Sequence, residues 1–129
     1  MATIRSVDGM KAKIGILSEE LTRKRMVHIA EGKVTSEEPY PQFLFESLAA
    51  LSQLLSNENV ELLNLIAREK PNSLDELAEK SGRSIKDVTD TFEALSSKGF
   101  AYLDIRGSES RPIALFTTFE IVMGSSLLL

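Results

Sequence analysis

Ser73-Leu74-Asp75-Glu76-Leu77-Ala78-Glu79-Lys80-Ser81-Gly82-Arg83-Ser84-Ile85-Lys86-Asp87 holds two helix starts separated by one glycine. Ser73 followed three residues later by Glu76 is a capping box. The hydroxyl and the carboxylate can each satisfy a backbone N–H that the first helical turn leaves orphaned. The spacing predicts a short helix over 74–80, with Leu74, Leu77 and Ala78 turned inward and Gly82 as its stop. Ser84 then caps a longer helix, with Asp87 in its first turn. Ile85, Val88, Phe92 and Leu95 recur at i, i+3, i+7 and i+10, one apolar stripe. At 100° per residue that stripe leaves Lys86, Asp90, Glu93, Ala94 and Ser97 facing outward. Gly99 is the stop signal of this second helix.

Upstream, Ser47 caps a helix carrying Leu48, Leu51 and Leu55, and a further helix over 57–69 buries Leu62, Leu63 and Ile66 before Pro71 ends it. Downstream, 100–106 reads as a strand, 107–110 as a turn, and 111–115 as the returning strand. An extended segment follows over 117–123, and 124–129 is an apolar tail. Nearer the start, 11–17 alternates as a strand weakened by Gly15. Ser18 caps a helix from Glu19 to about Glu31, which Gly32 stops. Residues 33–41 are a polar linker, and 42–46, with Phe43 and Phe45, form a short strand. The domain division expected is therefore 1–46 as a strand-helix extension, 47–123 as the main domain and 124–129 as a tail.

Helix, short capped helix, glycine turn, longer capped helix and hairpin, in that order, is the arrangement of a winged helix-turn-helix. The fold class expected is mainly α with a small β-hairpin wing (α+β). The short helix braces the longer one, whose N-terminal half can enter the major groove, and the hairpin tip can lie along phosphates or the minor groove. Candidate DNA contacts are Ser73, Arg83, Ser84, Lys86, Thr89 and Asp90, with Arg106 and Arg111 flanking the wing turn.

Phe43-Leu44-Phe45-Glu46-Ser47-Leu48, Leu54-Leu55-Ser56, the run from Leu74 to Arg83, and Gly99-Phe100 together resemble the predicted winged-helix transcriptional regulators of bacteria and archaea. The resemblance extends upstream to Lys13-Ile14-Gly15-Ile16 and the helix after it. It implies a DNA-binding regulator, a repressor, and for some relatives an antitoxin that also binds a small cognate toxin. One departure stands out. That family tends to place arginine where this chain has Asp90, and an aspartate can accept from cytosine N4 but repels phosphate.

Charge sets the main tension. The 129 residues carry a net charge of −4, whereas phosphate contacts supply much of the affinity in DNA binding. Residues 1–56 hold seven Lys/Arg and seven Asp/Glu, and residues 57–129 hold eight and twelve. A single copy should bind DNA weakly, so a homodimer is expected, doubling the contacts. The apolar residues 14–17, Phe43 to Phe45 and the C-terminal leucines also ask for more cover than a small winged core provides.

The remaining signals exclude more than they add. The chain has no cysteine, which removes disulfide scaffolds and thiolate zinc sites and fits a reducing cytoplasm. Met1-Ala2-Thr3-Ile4-Arg5 lacks the apolar region of a signal peptide, and no apolar run approaches the roughly 20 residues that span a bilayer. A cytoplasmic protein with no membrane contact is expected. His28 reads as an ordinary helix residue, Arg23-Lys24-Arg25 as a solvated helix face, and Phe92, Phe100, Tyr102 and Phe116 as core. Asp75-Glu76 is explained by capping rather than by acid–base chemistry. No G-x-S-x-G, P-loop, G-x-G-x-x-G or H-E-x-x-H occurs. The expectation is a binding protein that needs no cofactor or metal and is not an enzyme.

Overall fold

Serine hydroxyls start the helices. Ser18, Ser56, Ser73 and Ser84 hold extended backbone, and each Oγ accepts the N–H of the residue three positions on: Leu21, Asn59, Glu76 and Asp87. Ser47 Oγ accepts from Ala50 N at 3.0 Å in the same way. The computed structural model describes residues 10–31 and 41–124. Among them the elements run β1 (Met10–Ile16), α1 (Glu19–Ala30), β2 (Phe43–Phe45), α2 (Leu48–Leu54), α3 (Asn57–Glu69), α4 (Leu74–Ser81), α5 (Ile85–Ser97), β3 (Ala101–Arg106), β4 (Glu109–Ala114) and β5 (Phe116–Met123). The architecture is mixed α+β. The expected linker 33–41 lies, but for Pro41, outside the described residues, as do Gly32 and all of the tail except Gly124.

The described residues form two compact units: 10–11 with 54–118, and 12–31 with 41–53 and 119–124. Nearly all of α2 therefore groups with the second unit, whereas the 47–123 division had joined it to α3–α5.

In the first unit, α4 and α5 meet across Gly82. Its φ of 74° caps α4 while its N–H reaches the carbonyls of Ala78 and Glu79. A left-handed residue at this point is what glycine permits. Leu77, Val88, Phe92, Leu95, Leu63 and Ile66 are buried side by side with Phe100, Ala101 and Ala114. Phe100 and Phe116 meet edge to face, ring centroids 6.4 Å apart. Helix α3 ends on Lys70, itself left-handed at φ 50°, directly before the buried Pro71.

Three expected core positions are not core. Ile85, the first residue of α5, is 46% exposed, whereas Val88 one turn on is fully buried. Leu74, first in α4, is only half-buried and lines an open cleft beside the hairpin. Tyr102, expected inside, is exposed on the hairpin.

Strands β3 and β4 pair antiparallel from Ala101↔Ala114 to Arg106↔Glu109. Only Gly107 and Ser108 are left to turn the chain, not the four residues expected. Gly107, at the first turn position, takes φ 63°, the conformation a two-residue Gly-X turn requires. Pro112 is tolerated because β4 has one neighbouring strand.

The second sheet has the order β2-β1-β5, with β1 and β2 parallel and Gly15 opposite Leu44. At Gly15, β1 is approached closely by Leu44 and Pro41. A Cβ there would lie 3.0 Å from Leu44 Cδ2 and 3.1 Å from Pro41 Cγ. The glycine that seemed to weaken the strand instead admits the proline ring. Gly15→Ala is expected to destabilise by about 1 kcal/mol, the low end of overpacking costs, read from the urea midpoint.

Arg25 corrects the reading of the basic run. It is buried, while Arg23 and Lys24 are exposed. Ile14, Ile16, Leu17 and Phe45, which had suggested a covering partner, are already buried in the chain. The exposed apolar residues are others, among them Met26, Val27 and Ile29 of α1.

Candidate nucleic-acid interface

The outward side of α5 is open. Lys86, Asp90, Glu93, Ala94 and Ser97 are all exposed, and Val88, Phe92 and Leu95 are buried behind them. One helical turn separates Lys86 from Asp90, and Lys86 Nζ donates to Asp90 Oδ2 at 2.8 Å. The Asp90 hydrogen bond and charge raise the Lys86 pKa above its ordinary value. Both partners are well solvated, 85% and 61% exposed. Such a pair holds loosely and is weakened by salt, so the lysine can exchange its partner.

Arg83 is placed differently from its expected role. Its Nε donates to Asp87 Oδ2 at 2.8 Å, one Nη donates to Thr91 Oγ1 at 2.8 Å, and both reach Asn59 Oδ1 at 3.5 Å. Asn59 in turn donates to the Leu54 carbonyl at 2.9 Å. The guanidinium thus ties the first two turns of α5 to the first turn of α3, with its side chain only 21% exposed. Asn59 and Thr91 went unnoticed in the sequence, since neither lies near Arg83 in a periodic pattern.

The Arg83 hydrogen bond holds the Asp87 carboxyl below the usual aspartate range. A depressed folded value means that the pair's contribution is complete above the unfolded pKa and disappears as pH falls through the folded one. An NMR titration of the Asp87 carboxyl should give a midpoint below that of a free aspartate, and Arg83→Ala should return it to the ordinary range.

The other candidates are scattered in availability. Ser73 and Ser84 already use their hydroxyls as caps, with Oγ accepting from Glu76 N and Asp87 N at 3.1 Å each. The Glu76 carboxylate closes the box on Asn72 N rather than on Ser73 N. Thr89 is half-buried. Arg106 is exposed and its Nε bonds Asp104 Oδ2 at 3.0 Å. Arg111 sits opposite Asp104 in the ladder, half-buried, with Nε out of contact with solvent and no acceptor. Lys86, Thr89 and Asp90 share α5, while Arg106 and Arg111 share the hairpin.

Among the described residues no group of His, Asp and Glu is arranged to hold a metal ion, and no helix is long and apolar enough to cross a membrane. No curated protein and no solved structure matches the chain. A family model does match, over residues 54–121, just over half of the sequence and taking in α3 through β4 and most of β5. The chain is a member of the HVO_A0114 family.

Proposed function

We propose that residues 54–118 form a winged helix-turn-helix and that the protein is a sequence-specific, double-stranded DNA-binding regulator acting in the cytoplasm, most simply a repressor. The observation that carries this reading is the polar side of α5, left open to solvent along its whole length while α4 and β3 back its apolar side. In this reading α5 enters the major groove and the β3–β4 hairpin is the wing. Lys86, Thr89, Ser84 and Asp90 face the bases or the nearby backbone, and Arg106 reaches phosphate. Ser73 and Arg111 add at most minor contacts, and Arg83 positions α5 rather than touching DNA.

Few cations are left for phosphate, two or three per copy, so a homodimer is part of the proposal. With four to six phosphates engaged by the dimer, binding should weaken about 100- to 1000-fold between roughly 50 and 200 mM salt. Fluorescence anisotropy against duplexes from the protein's own promoter region tests this. A salt-dependent preference for one inverted repeat supports the reading, and binding that ignores sequence overturns it.

A second reading is favoured by charge. Residues 54–118 hold eight Lys/Arg against eleven Asp/Glu, and Asp90 and Glu93 stand on the face that would meet DNA. In that case the module binds protein instead, as a toxin-neutralising antitoxin does. Co-purification of a small cognate protein, with no DNA binding even at low salt, selects it.

A further inference from the structure

The outer face of the β3–β4 hairpin sets two arginines around one aspartate. Residues paired across a ladder project from the same face, and every second residue along a strand returns to it. Asp104 and Arg106 of β3 therefore share a face with Arg111 and Glu109 of β4. The opposite face is buried at its root, at Ala101, Pro112 and Ala114. Asp104 stands directly across from Arg111, a spacing of about 5 Å between Cβ atoms in such pairs. Its carboxylate is nevertheless given to Arg106, whose Nε donates to Oδ2 at 3.0 Å. Arg111 Nε is left out of contact with solvent and without an acceptor.

The two arginines differ in what else they can reach. The Arg106 side chain is 72% exposed, so water or a phosphate can take the place of Asp104 at small cost. Arg111 is half-buried, and its covered Nε–H can be met only from the protein side. A covered N–H with no partner is a standing penalty. Asp104 can relieve it by turning across the ladder. Glu109, the other acid of this face, is exposed and lies opposite Arg106.

We propose that Arg111 is a positioning residue of the wing, and that Asp104 changes partner from Arg106 to Arg111 when Arg106 turns to a phosphate. The inference rests on the DNA-binding reading and adds the fate of the acid that Arg106 leaves behind. Without the exchange, an uncompensated carboxylate would stay beside the incoming phosphate and repel it. With the exchange, that carboxylate is drawn across the ladder and the covered Nε–H gains a charged acceptor. Arg111 thus eases the release of Arg106 without itself touching DNA.

The change of partner can be read on the full chain with no DNA present. In proton–nitrogen correlation spectra the Arg111 Nε–H signal is identified by its loss in Arg111→Lys. It should move downfield in Arg106→Ala, and that shift should be lost when Asp104→Ala is added. Circular dichroism confirms that each variant is folded. With duplex DNA, Arg111→Ala should weaken affinity about threefold, the scale of a solvated ion pair, with the salt slope unchanged. In an Asp104→Ala background the same substitution should have no effect. An Arg111 signal that stays in place in Arg106→Ala overturns the proposal, as does a shift that persists without Asp104, which would assign the acceptor to Glu109. A salt slope lowered by about one unit in Arg111→Ala also overturns it, since Arg111 would then be a phosphate contact. Absence of any duplex binding sinks the DNA reading and with it the purpose of the exchange, whereas the spectra judge the exchange itself.

Discussion

Phe92→Ala is expected to lower the unfolding free energy by about 3–5 kcal/mol, the cost of removing a buried aromatic ring and leaving a cavity. Phe92 is 2% exposed and stands at the centre of the α5 stripe, between Val88 and Leu95. Domains of this kind have total stabilities of about 5–15 kcal/mol, so the loss should move the urea midpoint far toward zero. Ile85→Ala on the same helix should leave the midpoint nearly unchanged, because Ile85 is already 46% exposed. A cost at position 85 similar to that at position 92 would contradict the placement of the helix.

Arg83→Ala should remove about 2 kcal/mol, since a largely covered guanidinium gives up its bonds to Thr91 and Asn59 and leaves both acceptors behind. The exposed Asp87 partner adds little to this sum. Asn59→Ala should destabilise by less, and the double variant by less than the sum of the two, because they share one network. DNA binding separates the two roles an arginine can play here. If Arg83 only sets the position of α5, its removal weakens affinity without changing the slope of affinity against salt. Lys86→Ala should instead lower that slope by about one unit while leaving stability unchanged. A reduced slope in Arg83→Ala would return Arg83 to the DNA contacts.

Much of this organisation was legible in the residues. The serine caps and the glycine at 82 place α3, α4 and α5 within a residue of where they lie, because capping is a local interaction between positions three apart. The stripe Val88, Phe92, Leu95 was legible for the same reason. What escaped depends on neighbours far along the chain. Ile85 and Leu74 fit the helical period but are the first residues of their helices, and the period alone does not tell how much of a first-turn side chain is covered. Arg25 belongs to a run of three cations that reads as solvated, and nothing in the run tells which one turns inward. The hairpin turn was misjudged by two residues because Glu109 and Ser110 look like loop residues until their cross-strand partners, Arg106 and Ile105, are known. Arg83 was legible as a cation but not as a bridge, since its acceptors Asn59 and Thr91 stand 24 and 8 positions away.

Every helix described here begins on a neutral hydroxyl, where many proteins place an aspartate. A hydroxyl has no charge to lose in mild acid, so souring the medium leaves those five anchors as they were. The guanidinium knot resists in its own way, because Arg83 holds the Asp87 carboxyl below the usual aspartate range and so keeps it charged to lower pH than a free aspartate.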